Sequence, residues 1–224
     1  MKKIITLLTI VLSTTLFAQN KIEKEVGEFT ELKVYDLIEV EMVKANDNKV
    51  VITGENKSDV VVKNNKGKLK IRMSLEEIFD GAKTKVVLYY RHVDIIDVNE
   101  GAKVFSNDTI EQFEIDLKAQ EGGSITIPIN VKYINVKAVT GGIIKTTGQS
   151  NKQNVSLFTG GIYKGGELKT IKTDVSINVA GEAYVNASKL VDVKIRAGGD
   201  VYIYGNPEMV NESRVFGGRV KRMD

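Results

Sequence analysis

Residues 135–161 read NVKAVTGGIIKTTGQSNKQNVSLFTGG, and within this stretch Gly141-Gly142 is followed 19 residues later by Gly160-Gly161. Outward from it, glycine-bearing pairs recur at Gly122-Gly123 and Glu100-Gly101 on one side. On the other stand Ala180-Gly181, Gly198-Gly199 and Gly217-Gly218, the whole series advancing by 18 to 22 residues a step. A period near 19 that survives six steps is an internal repeat, and repeats of this kind stack into solenoids or arrays.

The residues around each pair show what is repeated. Five and three positions before it stand Leu117 and Ala119, Val136 and Ala138, Val155 and Leu157, Val175 and Ile177, then Val193 and Ile195. Apolar residues alternating with polar ones mark a half-buried strand. Beyond each pair the apolar residue is Ile125, Ile144, Tyr163, Ala183, Val201 or Val220, so the unit is strand, glycine corner, strand. About 19 residues cannot hold a strand, a helix and a return strand, which need roughly 30 or more. The length suits one coil of a parallel β-helix, each strand pairing with its copy about 4.8 Å away. Glycine at the corner follows from the bend, since a residue without Cβ reaches positive φ cheaply and lets backbones pass closely. The expected fold is all-β, a right-handed parallel β-helix (β-solenoid) with an N-terminal β-strand cap.

The ends depart from the pattern. Ile96 and Val98 lie four and two before Glu100, a shifted register, while Glu212 and Arg214 occupy the apolar slots of the last repeat. Both departures are expected of terminal repeats, which need a polar outer face. Residues 19–98 lack the period but alternate strand-like runs with turn signals such as Asn46-Asp47-Asn48 and Gly54-Glu55-Asn56, and read as a β-strand capping region. Residues 99–224 are the solenoid repeats.

Residues 1–18 read as a secretory signal peptide, with Lys2 and Lys3, an apolar run from Ile4 to Phe17, and a cut near Ala18-Gln19. The run is too short and too rich in threonine for a membrane span. With zero cysteines there is neither a lipid-attachment cysteine nor a disulfide framework. An exported protein is expected, periplasmic or at the cell surface or beyond it. Without Lys2 and Lys3 the formal charge of +3 falls to +1, too near neutral to attract nucleic acid or an anionic membrane.

The repeat register defines columns on the outer face. Asp116, Asn135, Asn154, Asp174 and Asp192 form one, which reads as an amide ladder along the axis. A calcium site needs six to eight oxygens, more than one side chain per coil supplies, so no metal is expected. A second column runs Thr126, Lys145, Lys164, Tyr184, Tyr202, Lys221, with Tyr204 nearby and a cation–π contact expected between Lys164 and Tyr184. Lys145, Lys164, Tyr184, Tyr202 and Tyr204 are the candidate binding residues, since tyrosine offers an apolar face and a polar tip; against that stands an ordinary solvated strand face. The expected partner is a glycan or an envelope or surface protein.

Enzyme signals are thin. His92, the single histidine, reads as structural, no Gly-x-Ser-x-Gly elbow is present, and no catalytic residue or cofactor is expected. The alternative is a carbohydrate-active β-helix, a polysaccharide lyase or glycosidase, but such sites need walls, and coils of 18 to 22 residues leave almost no loop to build them.

Residues 192–221, DVKIRAGGDVYIYGNPEMVNESRVFGGRVK, resemble the closing motif of the head GIN domain family of adhesins. The matching positions are Gly198, Gly199, Asp200, Val201, Tyr204, Gly205, Pro207 and Gly217-Gly218, with Gly199 standing where the family usually has serine. Ile38 to Met73 resembles the family's opening strand and its turns at Gly54 and Gly67. The resemblance implies adhesion and assigns no catalytic residues.

Overall fold

The computed structural model describes residues 21–223; the expected signal peptide lies outside the described residues. Among the described residues seventeen strands form one sheet wound on itself. The N-terminal strands are β1 (Ile22–Glu25), β2 (Glu31–Val34), β3 (Glu39–Lys44), β4 (Lys49–Gly54), β5 (Val60–Asn65), β6 (Lys68–Met73), β7 (Thr84–Tyr90), β8 (Ile95–Val98) and β9 (Lys103–Phe105). The repeats supply β10 (Ile110–Gln120), β11 (Ser124–Val139), β12 (Ile143–Phe158), β13 (Gly161–Val179) and β14 (Gly181–Ala197), then β15 (Asp200–Tyr204), β16 (Met209–Phe216) and β17 (Arg219–Arg222). The chain is therefore a β-solenoid, as its repeat predicts.

Each coil from β11 to β14 is nearly continuous strand, bent rather than broken. In β11 the alternation buries Ile125, Ile127, Ile129 and Val131, then slips by one where Lys132 and Tyr133 both face out, and resumes with Ile134, Val136 and Ala138 buried. That slip turns the corner without losing the ladder. Parallel pairing places Val136 beside Val155, Val155 beside Val175, and Val175 beside Val193, so like side chains stack into interior columns that exclude water along the whole axis.

The glycine corners divide their work between two residues. At Thr140 and Gly141 φ is 48° and 71°, and the Gly142 amide donates to the Val139 carbonyl at 3.0 Å, a four-residue turn with both central residues left-handed. Gly142 is not left-handed, but a Cβ there would collide with the Ala119 carbonyl oxygen of the preceding coil. Pairing of Lys103 with Ser124 aligns Gly101-Ala102, not Glu100-Gly101, with Gly122-Gly123. Ile96 and Val98 accordingly sit beside Leu117 and Ala119 in full register, and the expected shift at this end does not exist.

The N-terminal end is out of sequence order. The rung β2–β3 lies between β6–β7 on one side and β8–β9 on the other, all parallel. Lys33 of β2 donates to the buried carboxylate of Asp97 in β8 at 2.7 Å, and Asn99 and Gln120 donate to the other oxygen of that carboxylate at 3.0 and 3.2 Å. Beyond β6–β7, β5 pairs antiparallel with β6, β4 with β7, and β1 with β4. These strands cover an edge that would otherwise present unpaired backbone groups. At the other end Glu212 and Arg214 of β16 continue the columns of Val193 and Ile195, putting charge where a further coil would need apolar contact.

Candidate functional site

One outer column is built by the register. Thr126 pairs with Lys145, Lys145 with Lys164, Lys164 with Tyr184, Tyr184 with Tyr202, and Tyr202 with Lys221. Side chains of one column in a parallel sheet stand about 4.8 Å apart, so the residues singled out in the sequence are brought together on one face. Two neighbouring ammonium groups at that spacing repel by about 1 kcal/mol in water. Neither Lys145 nor Lys164 forms a salt bridge with a described residue.

The tyrosines are ordered. The rings of Tyr184 and Tyr202 stack with centroids 4.7 Å apart and planes 12° from parallel, and Lys221 caps the far side of Tyr202 at 5.6 Å. The cation–π contact therefore forms at Tyr202, and the expected one between Lys164 and Tyr184 is absent among the described residues. Tyr184 donates its phenolic proton to Glu182 at 2.6 Å, which fixes its ring. That hydrogen bond to the carboxylate, with lesser help from desolvation, pushes the Tyr184 phenol up to about 12.

A groove of about 560 Å³ opens beside this column, lined by Lys145, Lys164, Gly166, Glu167, Tyr184 and Tyr204. It exists because β13 is too long for its neighbours. Between Lys164 and Glu167 it has one residue more than β12 has between Lys145 and Thr147. Against β14, the four residues from Gly165 to Leu168 face Val185 alone. The excess bulges outward, and Tyr204 lies over Gly166, where a Cβ would meet its ring at 3.2 Å. Asn186, paired with Tyr204, donates from Nδ2 to the Gly166 carbonyl at 3.0 Å and holds the bulge in place.

Under the bulge the core is polar. The Tyr163 ring is wholly buried against Gly165, where a Cβ would strike it. Its hydroxyl donates to Gln153 Oε1 at 2.9 Å and receives the Thr146 hydroxyl at 2.7 Å. Gln153 Nε2 donates to Thr173 Oγ1 at 2.8 Å, and Thr173 meets Thr170 at 2.9 Å. Thr170 donates to the Asn186 carbonyl at 2.7 Å. The chain of donors runs one way from Thr146 to Asn186, the residue that pins the groove.

Elsewhere, Asn135 Nδ2 donates to Asp116 Oδ1 and Asn154 Nδ2 to Asn135 Oδ1, both at 2.8 Å, so the amide ladder forms over those coils. Asp174 interrupts it, turning to Lys152 at 2.8 Å. Among the described residues no group of three or more His, Cys, Asp or Glu could hold a metal ion, and no helix is long and apolar enough to cross a membrane. His92 pairs with Asp94 at 2.6 Å on the surface. A larger polar concavity of about 820 Å³ lies on an adjoining face, over Asn130, Gln149, Lys169 and Asn186. Gly166 and Glu167, which line the groove, and Asn186, which pins its bulge, are not found by following the column; their signal was the step from Gly160 to Ala180, one residue longer than the step before it.

With that geometry in view, residues 28–207 match the family described as “Putative auto-transporter adhesin, head GIN domain”. A crystal structure of a “putative adhesin” from Bacteroides fragilis superposes with a TM-score of 0.83 at 16% identity, covering 91% of this chain and 96% of that one. A “putative adhesin” from Parabacteroides distasonis gives 0.75 at 15% identity, covering 91% of this chain and 96% of its own. A protein from the same organism described as a “putative lipid binding protein” gives 0.67 at 15% identity, covering 92% and 96%. At these identities the likeness is one of fold. No curated protein matches the chain.

Proposed function

The chain belongs to the “Putative auto-transporter adhesin, head GIN domain” family, and from that premise we propose that it is an exported, non-catalytic adhesion module that engages a saccharide at the cell envelope. The observation that carries this reading is the stacked Tyr184–Tyr202 pair bordering a groove with Lys145, Lys164 and Tyr204. A tyrosine held by a hydrogen bond and a stacking neighbour presents an apolar face at little entropic cost, with polar groups beside it to orient a ligand. Among the described residues, Glu167 is the one carboxylate lining the groove. A two-carboxylate glycosidase, the alternative, needs a second acid across the scissile bond, so the lining favours binding over hydrolysis.

Glycan-array and whole-cell binding by the wild type and by Tyr184→Ser/Tyr202→Ser test the reading. Loss of binding in a variant that still melts cooperatively is the expected result; unchanged binding would remove it. Protease accessibility of the protein on intact cells tests its placement at the surface against retention in the periplasm.

A further inference from the structure

The groove also carries a charge pattern that bears on the ligand proposed for it. Lys145 and Lys164 stand on adjacent rungs, both line the groove, and neither has a carboxylate partner among the described residues. Several lysines elsewhere do meet acids closely: Lys152 meets Asp174 at 2.8 Å, and Lys33 meets Asp97 at 2.7 Å. Tyr184 has Tyr202 stacked on one face; its other face lies toward the Lys164 rung. Running along the axis, the groove therefore offers two cations outside salt-bridge distance of any described carboxylate and then the ring of Tyr184, with Glu167 and Tyr204 along the side.

We propose that the ligand is an anionic saccharide, its carboxylate or sulfate held between Lys145 and Lys164 and the ring of its sugar laid on Tyr184. An anion between two like charges relieves their repulsion and gains charge-assisted hydrogen bonds, while Glu167 and the Tyr204 hydroxyl meet neutral hydroxyls. This inference rests on the saccharide reading of the same groove and adds the charge of the ligand to it. Binding of this kind weakens as salt screens the pair, the Debye length being about 8 Å at physiological ionic strength.

The test is titration calorimetry of the whole protein with three trisaccharides: trigalacturonate, a sulfated galactose trimer, and neutral galactotriose, each at low and at physiological salt. The wild type, Lys145→Gln/Lys164→Gln and Tyr184→Ser are compared, with thermal melts to show that each folds. The expected result is that at least one anionic trimer binds tenfold or more tighter than the neutral one. The double lysine variant should bring the anionic affinity down to the level that the same variant shows for the neutral trimer, and the better of the two anionic trimers identifies the group. Equal affinity for charged and neutral trimers, both weakened in Tyr184→Ser, overturns the anionic inference and leaves the saccharide reading standing. No binding of any trimer overturns both.

Discussion

Tyr163, wholly buried inside the coil, donates its phenolic hydrogen to Gln153 Oε1 at 2.9 Å. Burial pushes the phenol up out of its ordinary range, so it stays a donor at any pH the protein meets. Removing that hydroxyl leaves Gln153 Oε1 without a donor and the Thr146 hydroxyl without an acceptor, and a buried polar group so stranded costs about 1–3 kcal/mol. Tyr163→Phe, which strands two such groups, should therefore lower the unfolding free energy measured in urea by at least that amount. Tyr90 gives the contrast, because its buried hydroxyl finds no partner among the described residues. Tyr90→Phe should leave the unfolding free energy unchanged or raise it; a loss equal to that of Tyr163→Phe would show that local networks do not set these costs.

The two glycines of one corner should respond differently to alanine. Gly141 has φ +71° and nothing within 4 Å of an added Cβ, so Gly141→Ala costs only the left-handed backbone, about 1–2 kcal/mol, and Gly141→Asn less. Gly142→Ala drives a methyl group into the Ala119 carbonyl of the preceding coil. That clash parts the ladder, and overpacking in a rigid stack costs about 1–3 kcal/mol, occasionally more, in addition to the hydrogen bonds it loosens. Melting temperatures should descend from Gly141→Asn through Gly141→Ala to Gly142→Ala, and a reversed order of the two alanine variants would contradict the division of labour.

How much of this could be read from the chain depends on what each feature leaves in the sequence. Parallel stacking forces like residues into one column, so Val136, Val155, Val175 and Val193, and the outer column from Lys145 to Tyr202, were legible from spacing alone. The seating of β2–β3 between β6–β7 and β8–β9 left no trace, because any half-buried strand shows the same alternation whichever neighbour it pairs with. The groove stood between these cases. The longer step from Gly160 to Ala180 marked an insertion, but only the register of β13 against both neighbours shows that it opens at Gly165 and Gly166. The place of the first corner at Gly101 shows only in the pairing of β9 with β11, since Ala102 fills the place that glycine holds in later coils.

The interruption of the amide ladder is correctable. Asp174 stands between Asn154 and Asp192 in the column, so two carboxylates are neighbours, and no amide of the column donates to Asn154 Oδ1. Asp174→Asn supplies that donor and removes the like-charge pair, at the loss of the Lys152 contact, an exposed ion pair worth about 0–1 kcal/mol. A new hydrogen bond contributes about 0.5–1.5 kcal/mol. The net expectation is a small rise in unfolding free energy, measured by urea denaturation, and a fall would mean that the ion pair outweighs the ladder.

Glu100 gives the protein an acid-side contribution to stability. Burial first, then the neighbouring Asp36 and Glu121, raises its carboxyl above the ordinary 4.5. The folded chain therefore keeps this proton at pH values where the unfolded chain has lost it. The contribution is fully present below the unfolded value and disappears as pH rises through the raised folded value. Glu23 and Asp200 shift the opposite way, their carboxyls lowered by hydrogen bonds from Lys49 and Arg219, so the whole-protein profile mixes both signs. The clean reading is the difference between wild type and Glu100→Gln. Above the raised value the variant should be the more stable, and its advantage should shrink on acidification toward pH 4.5. A difference that is constant with pH would detach Glu100 from the effect.

Gly166 permits a test of the groove that leaves every charge in place. Its φ is not in the left-handed region, and an added Cβ meets only the Tyr204 ring, at 3.2 and 3.3 Å. Because that contact is the far part of a side chain at the surface, the ring can move without disturbing the coil. Gly166→Ala should shift Tyr204 by a few tenths of an ångström and Gly166→Val should displace it from the groove, with melting temperatures close to wild type in both. If ligand lies against Tyr204, affinity falls stepwise from glycine to alanine to valine while its salt dependence, set by Lys145 and Lys164, stays the same. Unaltered affinity in Gly166→Val would place the ligand away from the bulge, and a changed salt slope would mean that displacing Tyr204 also moves the lysines.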